Sequence, residues 1–354
     1  MLAGRRRWCR QARQRRGVRT TWRQTVPPDR RTYWHENNMD RCLRDMRTRA
    51  GNVRHLVEIR DARIPFCTHP ELERLRQAPT SLQGLVVYTH ADLISEQARR
   101  RIEADVASRT GVHPLFLDLS DVYAPKPKFE RIRRTVVEFV LGVAGRDGER
   151  RQYRIDERVE AYVVGFPNVG KSTFNLIVSK TVTASRKAPG REFRHSQVDN
   201  SPGWTTVMRP YPLNTQPELF LIDTPGLIPK RAAFVAQPDL FYKLAAVGCY
   251  RDDFLGPECE DILDFLLFKW NAAGSIGYIK FLGLPGPTDD VTDLIATKPD
   301  GTIATHAKRR QEAMDILQAW RDGRFGRIVL DDECPSAPAP DVDQRGPAYP
   351  NLRH

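Results

Sequence analysis

The feature that most restricts the fold of this 354-residue chain is a glycine-rich turn between a hydrophobic strand and a helix. Residues 165–172 read GFPNVGKS and match the P-loop spacing G-x-x-x-x-G-K-[ST]. The apolar run at residues 158–164 predicts the strand, and residues 172–180 have the pattern of the helix. In that context, the backbone N–H groups of the turn and the N-terminus of the helix can surround phosphate groups. The sequence therefore predicts an α/β fold with a phosphate-binding loop.

The side chains of this loop have distinct expected roles. Lys171 is expected to take part in catalysis by reaching the β- and γ-phosphates of a nucleotide, and Ser172 is expected to bind Mg²⁺. The residues expected to contact the nucleotide are Asn168, Val169, Gly170, Lys171, Ser172 and Thr173.

A second motif, DTPG at residues 223–226, follows a strand predicted at residues 218–222. Asp223 is expected to hold Mg²⁺ through water, and the N–H group of Gly226 is expected to contact the γ-phosphate during catalysis. Because D-x-x-G alone is a weak signal, the assignment depends on its pairing with the P-loop.

The segment between the two motifs predicts a switch. Residues 202–206 read PGWTT, and Thr205 is the preferred residue to donate its hydroxyl oxygen to Mg²⁺ when the γ-phosphate is present. Residues 181–206 would then be a long loop that the nucleotide orders. The alternative is that the two threonines are simply solvated.

Recognition of guanine needs an acid that accepts hydrogen bonds from the base, usually within [NT]-K-x-D. Two segments are candidates. TKPD at residues 297–300 lies downstream of the P-loop, in the usual order, but it reads as a turn after a poor strand. THAD at residues 89–92 lies upstream, after a clear strand at residues 85–88 and before a helix.

We favour Asp92 over Asp300 as the base-reading acid because only Asp92 has the strand-to-helix context that the motif requires. Thr89 and His90 would then complete the contact with the base, although the lysine of the motif is absent.

The remaining pattern alternates strands and helices and then changes to helices. Such alternation predicts a parallel sheet covered by helices. Upstream strands are predicted at residues 55–59, 85–88 and 114–119, and helices at 38–50, 95–109 and 129–142. Later helices are predicted at 239–248, 258–270 and 307–322. The expected domains are an Arg-rich segment (1–28), an α/β nucleotide-binding domain (29–230), a small, mostly α-helical RNA- or ribosome-binding domain (231–330) and a Pro-rich tail (331–354).

The order of these motifs resembles that of the circularly permuted GTPases. DARIP at residues 61–65 comes first, followed by the guanine segment, the P-loop, PGWT and DTPG. The chain is most similar to the branch that assembles the large ribosomal subunit, including its mitochondrial members. The similarity extends over residues 33–330.

The resemblance implies a GTP-binding and GTP-hydrolysing assembly factor with GTP/GDP and Mg²⁺ as cofactors, whose turnover is slow and stimulated by the ribosome. It also implies K⁺ held by Asn168, with simple loop shaping as the alternative role of that residue. The implied partners are the precursor of the mitochondrial large subunit, its rRNA and ribosomal proteins, other assembly factors and peripheral contact with the inner membrane.

Departures from the family pattern motivate a second hypothesis. Asn38 stands where this branch has a histidine implicated in hydrolysis, and His90 replaces the lysine of the guanine motif. Asn38 cannot act as a general base at ordinary pH. The alternatives are therefore a nucleotide-binding scaffold without catalysis, or an ordinary-order GTPase that uses Asp300.

The net charge of +12 is unevenly distributed. Residues 1–28 contain nine arginines and no acid, which leaves +3 for the other 326 residues. An Arg-rich, acid-free start is typical of a mitochondrial transit peptide, so the matrix is the expected location; the alternative is an RNA-binding arm. The six cysteines form no C-x-x-C pair, and no apolar stretch is long enough to span a membrane.

Overall fold

A computed structural model describes most of the chain between residues 36 and 331. The described residues are 36–49, 55–77, 83–118, 126–142, 158–185, 208–215, 217–252, 255, 258–295 and 305–331. Four predicted segments lie outside them: the Arg-rich start, the PGWTT part of the switch, the TKPD segment and the Pro-rich tail.

A six-stranded sheet forms the centre of the fold, with the strand order β3-β2-β1-β4-β6-β5. Every neighbouring pair is parallel except β5 and β6, which are antiparallel. The strands are β1 (His55–Asp61), β2 (Gln83–Thr89), β3 (Leu115–Phe116), β4 (Arg158–Val164), β5 (Arg209–Thr215) and β6 (Glu218–Asp223). The predicted α/β class and the mostly parallel sheet are confirmed.

Ten helices connect and follow the strands in the described part of the chain. Those of the first half are α1 (Glu36–Arg49), α2 (Pro70–Gln77), α3 (Glu96–Thr110), α4 (Lys126–Val140) and α5 (Lys171–Ser185). Those of the C-terminal part are α6 (Arg231–Ala236), α7 (Pro238–Ala246), α8 (Glu258–Ala272), α9 (Gly277–Leu282) and α10 (His306–Arg321). None of these helices combines the length and apolarity needed to cross a membrane.

Alternating side chains of the strands pack against helices on both faces of the sheet, because successive residues of a strand point to opposite sides. On one face, residues such as Val57 and Val163 share a continuous core with α4, α5 and the C-terminal helices, including Trp270. On the other face, Leu56 and Tyr162 pack with α1 and α2. The hydrophobic core thus extends without interruption from the sheet into the C-terminal helices, while the proposed domain division at residue 231 stays a prediction.

Two local expectations are corrected. Residues 181–185 were expected to begin a loop but continue α5, because the helix started by the P-loop extends to Ser185. The strand expected at residues 114–119 contains only Leu115 and Phe116, since this edge strand pairs with β2 over two residues alone.

Candidate nucleotide-binding site

The P-loop joins β4 to α5 through a backbone that only some residues can adopt. Gly165 has φ +148°, and a Cβ atom on it would lie 2.2 Å from the carbonyl oxygen of Ile59 in the neighbouring strand. Asn168 and Gly170 also have positive φ angles of 59° and 90°. The glycines therefore allow a close approach and a left-handed turn that bring backbone N–H groups to the N-terminus of α5.

Lys171 lies buried at the start of α5, where its Nζ donates a hydrogen bond to the carbonyl oxygen of Phe166 at 2.8 Å. Burial lowers the pKa of Lys171, and Asp223 acts in the opposite direction. The ammonium group is thus held inside the loop, where it can neutralise charge on a phosphate.

Ser172, in the first turn of α5, meets Asp223, the last residue of β6. The Ser172 hydroxyl donates to Oδ2 of Asp223 at 2.8 Å, whereas the buried Oδ1 has no hydrogen-bond partner among the described residues. Burial raises the pKa of Asp223, and Lys171 opposes that rise. A hydroxyl beside a carboxylate oxygen that lacks a partner is a donor set that fits Mg²⁺.

The DTPG loop lies directly against the P-loop. A Cβ atom on Gly226 would lie 2.6 Å from Cγ and 2.8 Å from Cα of Pro167, so no larger residue fits without displacing the loop. The N–H group of Leu227 donates to the carbonyl oxygen of Gly165 at 3.1 Å. The Thr224 hydroxyl donates to Val163 at 2.8 Å and fixes the start of the DTPG loop on β4.

The THAD segment reaches the same edge of the sheet from the other side of β4. Thr89 ends β2 opposite Asp61 of β1, and its buried hydroxyl donates to the carbonyl oxygen of Val169 at 2.8 Å. This bond joins the upstream segment to the P-loop across 80 positions of the chain.

His90 has the left-handed backbone (φ 53°) and contacts the DAR segment. Its Nδ1 lies 3.1 Å from Oδ2 of Asp61, which Arg63 also grips through two nitrogens at 2.7 and 3.0 Å. Although burial opposes the shift, Arg63 and His90 hold the pKa of Asp61 well below its usual range. His90 is therefore directed towards the DAR carboxylate, in the position where the motif has lysine.

Asp92 lies two residues after His90, in the short 3₁₀ helix Ala91–Leu93, and is exposed. Partial burial and the neighbouring Asp118 raise the pKa of Asp92. The second acid beside the base-reading candidate was not found by the sequence reasoning, because Asp118 lies at the end of a different strand.

Asn168 makes a contact that the sequence did not predict. Its Nδ2 donates to the carbonyl oxygen of Gly248 at 2.9 Å, just after α7. The P-loop is therefore bonded to the C-terminal helical part as well as to the sheet. Gly248 has a positive φ of 88°, a backbone conformation that favours glycine at this turn.

The structure brings Lys171, Ser172, Asp223, Gly226 and Thr89 together at the carboxyl ends of adjacent strands. Val169, Gly170 and Thr173 lie in the same P-loop and first turn of α5. Thr205 and Asp300 lie outside the described residues, and the side chain of Asn38 is likewise not described.

This arrangement defines a P-loop nucleotide-binding fold with the Lys, Ser and Asp-x-x-Gly elements of a GTPase. Residues 160–246 match the family described as 50S ribosome-binding GTPase. The chain is 26% identical to mitochondrial ribosome-associated GTPase 1 of Bos taurus over 341 residues, which are 89% of this chain and 93% of that protein.

Other relatives agree. Mitochondrial GTPase 1 of Aedes aegypti is 24% identical over 319 residues, 85% of this chain and 93% of its own. DAR GTPase 2, mitochondrial, of Arabidopsis thaliana is 25% identical over 291 residues, 82% of this chain and 71% of its own. The chain is thus similar to the 50S ribosome-binding GTPases and to mitochondrial ribosome-associated GTPases, which confirms the resemblance to that branch drawn from its motifs.

Proposed function

We propose that the chain is a circularly permuted GTPase that binds and hydrolyses GTP and assists assembly of the mitochondrial large ribosomal subunit. The observation that carries this proposal is the hydrogen bond from Thr89 to Val169, which joins an upstream THAD segment to the P-loop. In a parallel sheet the carboxyl ends of strands meet at one edge, so Asp92 is available for the base while the P-loop holds the phosphates.

The strand order supports the same reading. The upstream strands β1 and β2 lie on one side of β4, and β6 with its DTPG loop lies on the other. In this proposal, an acid that follows β2 completes the site without the TKPD segment at residues 297–300. In this proposal the motifs are permuted along the chain, yet the THAD segment, the P-loop and the DTPG loop still surround one nucleotide.

In this proposal, hydrolysis is an in-line attack of water on the γ-phosphate. Lys171 neutralises phosphate charge, and the N–H group of Gly226 stabilises charge on the γ-phosphate oxygens. Ser172, Asp223 and Thr205 would hold Mg²⁺, which supplies positive charge next to the phosphates when bound. The Asn168 side chain offers its oxygen to K⁺, since its nitrogen is already bonded to Gly248.

The proposed partners follow from the relatives. The bovine relative is named as a mitochondrial ribosome-associated GTPase, and the similarity extends over most of both chains. We therefore propose that the matrix is the location, that a large-subunit precursor with its rRNA and proteins is the partner, and that other assembly factors and the inner-membrane surface are peripheral contacts. GTP would order the switch for docking, and hydrolysis would release the factor.

GTP turnover with and without large subunits, in K⁺ and in Na⁺, tests the enzymatic part. We expect slow intrinsic hydrolysis that large subunits stimulate and that K⁺ supports better than Na⁺. Absence of turnover in all four conditions would contradict hydrolysis.

A nucleotide-binding scaffold without catalysis is the second candidate, which Asn38 and His90 favour. It predicts tight binding to ribosomal precursors with no measurable turnover in any condition. The Lys171→Ala variant should weaken nucleotide binding whether the chain is a GTPase or a scaffold. It should lower GTP turnover only if the chain is a GTPase, because a scaffold has no turnover to lose.

The base-reading acid is tested by changing Asp92 and Asp300 separately to Asn. An Asn in place of the acid should change preference from GTP to XTP, because xanthine presents an acceptor where guanine presents a donor. We expect the change for Asp92→Asn; a change for Asp300→Asn instead would support the ordinary order of motifs.

A further inference from the structure

Ile228, two residues after Gly226, has both of its backbone polar atoms engaged by side chains from upstream segments. Its carbonyl oxygen lies 3.3 Å from Nε2 of His69, and its N–H group donates to Sδ of Met39 at 3.3 Å. Residues 224–230 contain neither helix nor strand, so contacts of this kind determine where the loop lies.

His69 precedes α2 and occupies its N-cap position, with Pro70 as the first helical residue. The N–H group of Glu71 donates to Nδ1 of His69 at 3.2 Å, as expected for a side chain that caps a helix. Because Nδ1 accepts this bond, the proton of the neutral ring is on Nε2, which therefore donates to Ile228. One ring thus fixes a helix start and the loop at the same time.

Met39 makes the second contact from α1, which packs on the same face of the sheet as α2 and Leu227. Its thioether is a weak acceptor, so His69 is the stronger of the two contacts. Met39 also neighbours position 38, where the family resemblance places a histidine. The loop is therefore held between two upstream elements, α1 and the start of α2.

We propose that His69 is a positioning residue for the DTPG loop, which it holds against the P-loop through the carbonyl oxygen of Ile228. Gly226 lies against Pro167 and Leu227 bonds to Gly165, so movement at Ile228 is transmitted to the N–H group of Gly226, which would contact the γ-phosphate in the proposed function. This inference rests on the proposed GTPase function. His69 touches no nucleotide and acts through the loop.

The surroundings of His69 favour the neutral ring that this role needs. The pKa of His69 is lowered, mainly by burial and also by Lys230. The bond to Ile228 and the nearby Glu71 and Glu58 act in the opposite direction. A lowered pKa favours the neutral ring, in which Nδ1 remains an acceptor.

Two substitutions separate the two bonds of the ring. Asn in His69→Asn places an acceptor near the position of Nδ1 and is a favoured N-cap, but it is too short to reach Ile228. Gln in His69→Gln places a donor near the position of Nε2, so it keeps the loop contact and gives up the cap. A cap effect and a loop effect therefore appear in different variants.

Hydrogen exchange of the nucleotide-free chain tests the contact independently of activity. We expect amides of residues 223–230 to exchange about three- to tenfold faster in His69→Asn than in His69→Gln, the range for loss of one ordinary hydrogen bond. Equal exchange in the two variants overturns the proposal. Because no nucleotide is present, this result does not depend on whether GTP is hydrolysed.

Turnover and thermal unfolding complete the test. We expect His69→Asn to lower kcat by about three- to tenfold with an unchanged KM, and His69→Gln to keep kcat near the wild-type value, while the two variants have a similar Tm because each gives up one hydrogen bond of the ring. A kcat that falls in proportion to Tm in both variants would mean a structural role only and overturns the proposal. If the wild type itself hydrolyses no GTP, the proposed function fails, whereas the exchange measurement still decides the contact.

Discussion

Arg63 joins the carboxyl end of β1 to the C-terminal helices. Its guanidinium grips Asp61 and lies over the ring of Trp320, with Cζ 4.9 Å from the ring centroid. Its carbonyl oxygen accepts a hydrogen bond from Leu330 at 2.7 Å. The side chain of Arg63 is only 4% exposed, so the buried carboxylate of Asp61 would lose its principal charge partner without it.

We predict that Arg63→Met lowers the free energy of unfolding by about 3–5 kcal/mol, the usual cost of breaking a buried ion pair. The matched control is Arg74→Met, because Arg74 pairs with Glu71 at 2.6 Å but is 60% exposed. The control should lose less than about 1 kcal/mol. Urea denaturation measures both, and similar losses in the two variants would contradict this account of Arg63.

The same substitution has a pH signature. The pKa of Asp61 is lowered in the folded protein, so its ionised form stabilises the fold above the unfolded pKa of about 3.9, and this contribution disappears as pH falls towards the folded pKa. Without Arg63, burial favours the protonated acid. We therefore expect the difference in unfolding free energy between wild type and Arg63→Met to narrow as pH falls from 7 to 4. A constant difference would mean that Asp61 is not the source of the loss.

At the level of elements, α3 depends on its ends more than on its packing. Only Ile102 and Val106 of this helix are buried. Its N-terminus is capped by Ser95, whose Oγ accepts a hydrogen bond from Ala98 N–H at 3.2 Å. The cap follows the turn that contains Asp92, so it also fixes the end of the segment that we propose reads the base.

We predict that Ser95→Ala lowers the free energy of unfolding by about 1 kcal/mol through loss of this cap. Ser108→Ala is the control on the same helix, because the Ser108 hydroxyl is exposed and bonds only to the carbonyl oxygen of Asp105. The control should change stability by less than about 0.5 kcal/mol. Thermal or urea unfolding decides; a larger loss for Ser108→Ala would rule out capping as the cause.

The elements that the sequence could predict are those with continuous local patterns. β4 was predicted at its observed limits because residues 158–164 (RVEAYVV) are mostly apolar and end directly at the glycine of the P-loop. β5 was missed because Pro210 and Pro212 interrupt the pattern, yet an edge strand tolerates proline where no ladder bond is needed. The eight residues of α2 were missed because so short a helix has little periodicity.

The site divides in the same way. The P-loop and the DTPG motif are each a continuous stretch of sequence that follows a strand. Because the two strands are parallel neighbours, their ends meet at one edge of the sheet. The contacts of His69 with Ile228 and of Asn168 with Gly248 connect residues 159 and 80 positions apart. No local pattern encodes such pairs, because they arise only when helices from distant segments pack on the sheet.

At the scale of the whole molecule, the turn after α7 transmits the position of the C-terminal helices to the P-loop. Arg321, at the end of α10, donates to the carbonyl oxygens of Ala245 and Ala246 at 2.9 and 2.8 Å. It also pairs with Asp252 through two nitrogens at 2.8 and 3.0 Å. Gly248, which bonds to Asn168, lies between these anchored residues.

We therefore predict that Arg321→Met loosens the P-loop although Arg321 lies outside the nucleotide site. The turn would lose its anchors, the bond from Asn168 to Gly248 would open more often, and GDP would dissociate about three- to tenfold faster, the effect of losing one ordinary hydrogen bond. A fluorescent GDP analogue measures the dissociation rate.

Arg309→Met is the matched control, because Arg309 lies on the same helix and pairs with Glu260 of α8 at 2.5 Å without touching the turn. Both variants remove one arginine and one ion pair from α10. If GDP dissociates faster only in Arg321→Met, the turn couples the helices to the P-loop. If both variants release GDP equally fast, general loosening of the helical part explains the effect and the coupling is wrong. The two dissociation rates are compared at a temperature where both variants are fully folded. Under that condition, a lower stability by itself does not release GDP faster, so Arg309→Met should keep the wild-type rate.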